Sequence, residues 1–232
     1  MLFKTIANNV LAFAVALLCV SCASSGKNGD DSASVSVAKP KQYKQIAADA
    51  VGVTDEGVGV AVGTQLPNIT VNDINSKSVS LSDYWADQPV VIVFYRGGWC
   101  PYCNMQVQEL SGRYQEFKAA GIQPVLISVD APDKAAMVDS QYEIPFPVLS
   151  DSALKAHTAF NVLLKLDSVT LAKYKMFGIV PKDWSGKEHN TIAVASAFVV
   201  DTSGVVKAAH ASKDYASRPS ADQLLALAKS AL

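Results

Sequence analysis

VVIVFYRGGWCPYCNMQVQELSGRYQEFKAA, residues Val90 to Ala120, changes its periodicity in the middle. Val90 to Tyr95 is a near-continuous apolar run rich in β-branched and aromatic residues, the pattern of a buried strand. Arg96, Gly97 and Gly98 end it, the glycines giving the backbone freedom that a strand-to-helix crossing needs. Beyond Trp99-Cys100-Pro101-Tyr102-Cys103, the residues Val107, Leu110, Tyr114 and Phe117 recur at helical spacing, so a helix is expected after the second cysteine. Two cysteines therefore stand where a strand ends and a helix begins. A helix N-terminus carries free backbone N–H groups and a partial positive charge. Both stabilise a thiolate and lower a thiol pKa from its free value of about 8.5. Cys100, at the exposed loop end, is the candidate nucleophile. Cys103, one turn inward, is its candidate disulfide partner.

A C-x-x-C pair has three chemical readings: half a zinc site, an inert disulfide or a redox pair. A structural zinc site takes about four ligands. The other cysteines, Cys19 and Cys22, lie in a segment that looks like a targeting signal, and His157, His189 and His210 are scattered along the chain. The sequence thus implies no metal and no cofactor. Structural disulfides usually close longer loops, so the strand–turn–helix context favours the redox pair.

The later blocks make the reading more specific. Leu66-Pro67 leads into Val79-Ser80-Leu81-Ser82, then come FYRGGWCPYCN, LISVDAPD, FPVLSD, AFVVDTSG and DYASRP. In this order they resemble the thioredoxin superfamily, and more closely its peroxiredoxin-like branch (alkyl hydroperoxide reductase/thiol-specific antioxidant, or redoxin). The resemblance runs from about Gly63 to the C-terminus. It implies an α/β, thioredoxin-like fold with a central mixed β-sheet flanked by helices. It also implies a thiol-based antioxidant oxidoreductase, in which Cys100 and Cys103 reduce hydroperoxides and a thioredoxin-like donor recycles them. Two alternatives stay open: a membrane-tethered reductase of disulfide-bearing proteins, and a redox-inert lipoprotein that binds a partner.

The chain departs from the family pattern at informative places. Peroxiredoxins carry a proline and a threonine upstream of the reactive cysteine, where this chain has Arg96-Gly97-Gly98-Trp99. They also carry an arginine just before the F-x-x-D strand, and thioredoxins carry a proline close to that position. Here Ala195 stands there, with Ala193 nearby. Arg96 is the candidate replacement cation, able to stabilise a thiolate and a developing alkoxide; the plain alternative is a surface arginine at a strand end. Trp99 is a candidate cover for the nucleophile, and Pro101 and Tyr102 set the loop between the cysteines. Tyr215 and Arg218 match the family's D-Y-x-x-R block and are expected to order the C-terminal segment. The three histidines receive no role.

The beginning of the chain points outward. Met1 to Ser21 has one charge, Lys4, before an apolar run from Val10 to Val20 that is too short for a permanent membrane span and suits a secretory signal. Leu18-Cys19-Val20-Ser21-Cys22 looks like a bacterial lipobox with Cys22 as the lipidated residue; cleavage after Ala23 is the alternative. Residues 1–21 are thus expected to be a lipoprotein signal, 22–62 a tether with a short extension, and 63–232 the redoxin domain. The protein is expected on the periplasmic side of a bacterial membrane, held by a lipid anchor. A formal charge of −1 over 232 residues makes no electrostatic case for nucleic acid. Ser24 to Lys41 lacks aromatic residues and reads as a disordered tether. Gln42 to Val53 places Tyr43, Ile46, Ala47 and Ala50 on one face of a short helix.

Within the domain, the pattern predicts a hairpin from Ile69–Val71 and Ser78–Leu81, and a strand over Ile122–Val129. A helix is expected over Lys134–Tyr142, a strand over Phe146–Leu149, and a helix from Ser152 towards Phe160. Leu163 to Gly186 reads as an insertion with one helix near Thr170–Met176. A hairpin over Ala193–Val200 and Val205–Ala209 turns at Gly204, and Ser220 with Gln223 forms a capping box for a terminal helix.

Overall fold

The computed structural model describes residues 44–232. The residues read above as a signal segment and a tether, Cys22 among them, lie outside the described residues. The chain runs β1 (Lys44–Gln45), β2 (Thr70–Asp73), β3 (Ser78–Ser80), α1 (Ser82–Trp85), β4 (Val90–Phe94), α2 (Pro101–Gly112) and α3 (Tyr114–Ala119). It continues through β5 (Gln123–Ser128), α4 (Pro132–Tyr142), β6 (Val148–Ser150), α5 (Lys155–Ala159), β7 (Leu163–Lys165), α6 (Ser168–Met176) and α7 (Pro181–Ser185). It closes with β8 (Thr191–Ala193), β9 (Ala195–Val200), β10 (Val206–Ser212), β11 (Ser217–Arg218) and α8 (Ala221–Ala231).

A seven-stranded mixed sheet in the order β10-β9-β4-β5-β6-β2-β3 forms the centre. β4 is buried at every position because both of its faces are covered. Val91, Val93 and Tyr95 pack under α2, α4 and α8, while Val90, Ile92 and Phe94 meet Trp85, Ala156 and Phe160 on the other face. Alternate side chains of a strand point to opposite faces, which explains why this strand reads as a continuous apolar run instead of an alternating one.

Pairing direction then assembles the site. β4 runs parallel to β5, with Phe94 opposite Ile127, and antiparallel to β9, with Phe94 opposite Ser196. β10 lies antiparallel to β9, with Ser212 opposite Ala195. The ends of β4 and β5, the start of β9 and the end of β10 consequently share one rim of the sheet. Arg96 to Cys100, Asp130, Ala195 and the Lys213–Arg218 segment all meet there.

Five local expectations change. The helix begins at Pro101, before the second cysteine, since proline's fixed φ suits the first helical position. Its later part breaks at Arg113, whose φ of −107° and ψ of 10° separate α2 from α3. The helix expected from Ser152 starts at Lys155, where Asp151 accepts the backbone N–H groups of Lys155 and His157 at 2.9 and 2.8 Å. The insertion holds two helices, α6 and α7, and its β7 pairs with β8.

The fifth change concerns the segment before the domain. The spacing predicts a helix over Gln42–Val53; over its described part, the chain instead pairs Lys44–Gln45 with Ser217–Arg218 in parallel and makes one 3-10 turn at Ala48–Ala50. Sheet pairing takes the backbone groups that a helix would need: Lys44 N–H donates to Ala216 O and Asp55 N–H to Ala211 O, both at 2.8 Å. Side chains fasten the same strap, with Gln223 Nε2 donating to Ile46 O at 2.7 Å and Asp55 Oδ2 accepting from Lys213 N–H at 2.6 Å. The strap covers the edge of β10, a strand edge that would otherwise offer free pairing groups, and it anchors the loop that carries Tyr215 and Arg218.

Candidate active site

Cys100 is the N-cap of α2 and Cys103 lies in its first turn; both are free thiols. Cys100 is only 1% exposed, which corrects the expectation that it stands at an exposed loop end. Trp99 and Tyr102 pack against the cluster that contains both cysteines. Trp99 in turn meets Tyr174 of the α6 insertion at 5.3 Å between ring centroids, and Tyr102 meets Tyr215 edge-on at 5.5 Å. The aromatic residues of two distant segments close over the loop that sequence order alone leaves open.

The two thiols have opposite electrostatics. The Cys103 thiol, donating to the Cys100 sulfur, together with the Arg218 and Arg96 guanidiniums, outweighs burial and lowers the Cys100 pKa from 9.0 to about 6. Burial, and that same donated proton, push the Cys103 pKa well above its ordinary value. At neutral pH the pair is therefore a thiolate at Cys100 beside a protonated thiol at Cys103. This is the arrangement a nucleophile and a second, intramolecular thiol require.

Arg218 is the main protein cation here, whereas its sequence context points first to an ordering role and only second to a direct catalytic one. It is 1% exposed. Its Nη2 donates to Cys103 Sγ at 3.1 Å, its Nη1 to Gln106 Oε1 at 2.9 Å, and its Nε to Tyr215 O at 2.9 Å. Gln106 Nε2 donates to Pro219 O at 2.9 Å, which locks the fork in place. Gln106, Ala195, His210 and Arg218 border one small cavity of about 10 Å³, so the small side chain of Ala195 leaves the guanidinium its room. Gln106 carries no motif signal; Arg218 is visible only as the last charged residue of DYASRP.

Arg96 is buried, which removes the surface-arginine alternative. Its guanidinium lies 4.0 Å from the Tyr215 ring centroid, 5.3 Å from Trp99 and 5.7 Å from Tyr174, and it donates to the Tyr174 hydroxyl. Cation–π contacts of this kind hold the charge in place while replacing water. Arg96→Ala is expected to raise the Cys100 pKa by less than loss of Arg218 does, because Arg218 has the larger influence on that thiol. The pH dependence of alkylation measures this; a larger shift for Arg96→Ala would reverse the ranking.

Asp130, the aspartate of LISVDAPD, sits under the loop before Cys100, and no sequence signal sets it apart. It is fully buried, and its Oδ2 accepts the Gly98 N–H at 2.8 Å. Its Oδ1 has no hydrogen-bond partner among the described residues, and neither does the nearby Tyr95 hydroxyl. Burial raises the Asp130 pKa from 3.8 to about 7, against the pull of the Gly98 N–H and the Ser128 hydroxyl. His157 pairs instead with Asp151 on the far face, at 2.7 Å from its Nδ1.

The fold agrees with comparisons to known proteins. The model of the AhpC/TSA family matches residues 62–209. The chain belongs to the AhpC/TSA family. A chloroplastic peroxiredoxin Q from Oryza sativa subsp. japonica is 33% identical over 103 residues, 44% of this chain and 47% of the relative. That from Sedum lineare is 30% identical over 148 residues, 64% of this chain and 67% of the relative. For most such curated relatives, including that from rice, the matched part of the chain spans about half of their length. Among solved structures, peroxidoxin BcpB from Mycobacterium tuberculosis superposes with a TM-score of 0.58 at 21% identity, over 75% of this chain and 97% of that one. A variant of PrxQ from Xylella fastidiosa gives 0.60 at 18% identity, over 75% and 98%. These structures share the thioredoxin-like fold of the family. The strap at residues 44–56, which braces Arg218, lies before the family match.

Proposed function

We propose that the protein is a thiol peroxidase whose nucleophile is Cys100. Its thiolate attacks the terminal oxygen of a hydroperoxide, the O–O bond breaks, and Cys100 becomes a sulfenic acid. Cys103 then attacks that sulfur, water leaves, and a Cys100–Cys103 disulfide remains. A thioredoxin-like dithiol reduces the disulfide and returns the pair. The observation that carries this reading is the split within the pair: a Cys100 thiol held at about 6 beside a Cys103 thiol pushed upward.

The same split weighs against the disulfide-reductase alternative. Lowering a thiol from 9.0 to about 6 stabilises the reduced form, by about 1.4 kcal/mol at pH 7. That corresponds to about 30 mV for a two-electron couple, towards a disulfide that is easily reduced. Such a pair suits receipt of electrons from a donor better than reduction of stable disulfides. Rapid mixing of the reduced protein with hydrogen peroxide, compared with its reduction of a model protein disulfide, tests both. Slow oxidation by peroxide with fast disulfide reduction would overturn the peroxidase reading.

We further propose that the protein is exported and held at a membrane by lipid on Cys22, on the strength of the Val10–Val20 run and the residues before Cys22. Mass spectrometry of the purified N-terminus is expected to show acylated Cys22. A free N-terminus at Ser24 would exclude the anchor.

A further inference from the structure

The turn before Cys100 has an unusual inner side. Cys100 N–H donates to Gly97 O at 3.0 Å, which closes the turn tightly. Gly97 has a φ of +141°, a conformation that favours glycine. A side chain there would collide: its first carbon would lie 2.8 Å from Asp130 Oδ1 and 2.5 Å from Trp99 Nε1. The bare face of Gly97 is thus flanked by the free oxygen of a fully buried carboxyl and by an indole N–H. Asp130 is anchored there through Gly98, and its free Oδ1 is unsatisfied among the described residues. A buried, unpaired carboxyl oxygen costs stability. Its place beneath the turn that carries Cys100 gives it a chemical use.

We propose that Asp130 is the proton donor to the oxygen that leaves when Cys100 attacks a hydroperoxide. The inference rests on the peroxidase reading above and supplies the step that reading omits. In it, the Cys100 thiolate forms an S–O bond to the terminal hydroxyl oxygen as the O–O bond breaks. The electron pair of that bond goes to the departing oxygen, which takes the proton from the Asp130 carboxyl and leaves as alcohol, or as water from hydrogen peroxide. Cys100 is oxidised to a sulfenic acid, the peroxide is reduced, and Asp130 is left as carboxylate. When the Cys103 thiol attacks the sulfenic acid, its proton and the departing hydroxyl form water, so that step needs no further proton. Asp130 recovers its proton from solvent before the next turnover.

The titration of the two groups fits this division of labour. Cys100 must be ionised and Asp130 protonated at once, and their values of about 6 and about 7 overlap near neutrality. The ionisable groups facing Asp130 are Tyr95 just after β4, Cys100 at the start of α2 and Asp133 from α4, and the last two oppose its ionisation. The first-step rate is thus expected to rise with pH near 6 and to fall above 7.

The test compares two oxidants on the wild type and on Asp130→Asn. Hydrogen peroxide leaves as a poor, strongly basic oxygen that needs a proton; peracetic acid leaves as acetate, which needs none. In single-mixing experiments on the reduced protein, Asp130→Asn is expected to slow oxidation by hydrogen peroxide about a hundredfold at pH 6.5. It is expected to leave oxidation by peracetic acid within about threefold, and to abolish the fall in rate above pH 7. The ratio of the two oxidants is internal to each protein, so it stays informative for a variant that is only partly folded. Equal slowing with both oxidants, or an unchanged pH profile, would overturn the role of Asp130 alone. A wild type that reacts slowly with both would overturn the peroxidase reading, and the inference with it.

Discussion

Cys103→Ser is expected to consume one equivalent of hydroperoxide and stop, whereas Cys100→Ser consumes none at a useful rate. The asymmetry follows from the electrostatics of the pair. The Cys100 thiol is lowered to about 6, so it is mostly thiolate at pH 7, while Cys103 stays protonated in its buried position. Removing the nucleophile is expected to cut the first-step rate on the order of a thousandfold or more. Removing Cys103 leaves that step working, although more slowly, because the thiol that donates to Cys100 is the largest influence holding its pKa down. Stopped-flow oxidation with a sulfenic acid trap distinguishes the two variants. A Cys100→Ser protein with near-normal first-step kinetics would reverse the assignments.

The parts of this site that are legible in the sequence are the parts that are local in it. A buried strand, a glycine-bearing turn and a helix leave periodic traces within about thirty residues, and the cysteines fall at their junction. Arg218 lies 115 residues from Cys103, and Gln106 lies 112 residues from Arg218. Their meeting depends on β10 lying beside β9 and β9 beside β4, which no window along the chain contains. Asp130 belongs to a family block, yet its unpaired oxygen is a property of its burial and leaves no pattern to read. The strap misleads for a related reason. A two-residue strand has no period, so Ile46, Ala47 and Ala50 suggest a helix face, while the backbone is paired with Ser217 and Arg218. Trp99 and Tyr102, which flank Cys100, likewise pack against Tyr174 and Tyr215, neither of which is near them in sequence.

Arg218→Met is expected to have two large effects with one cause. Arg218 is buried without a carboxylate partner among the described residues; its bonds go to Cys103 Sγ, Gln106 Oε1 and Tyr215 O. The negative charge that balances it is the cysteine pair itself, so its loss weakens both the fold and the thiolate. Gln106 Oε1 and Tyr215 O lose a charged donor, each such loss costing about 1–3 kcal/mol, which a lowered midpoint of urea unfolding will show. The Cys100 pKa is expected to rise by about one unit or more, which takes the thiolate fraction at pH 7 from about nine-tenths to about one half or less. The two effects separate through pH. An acid whose folded pKa is depressed contributes stability that is present above its unfolded value and lost as pH falls through the folded one. For Cys100 that window runs from 9.0 down to about 6. Asp130 runs the other way: its raised pKa makes stability fall as pH rises from 3.8 to about 7. Above pH 7 the rise due to Cys100 is therefore unopposed by Asp130. Urea unfolding of the reduced wild type is expected to show stability increasing from pH 7 to 9, and Arg218→Met to show a shallower increase. Protein alkylated at Cys100 has no thiol to ionise there, and it is expected to lose that increase in both. If the reduced wild type and Arg218→Met had the same slope over this range, Arg218 would be a brace for the C-terminal segment without influence on the thiolate.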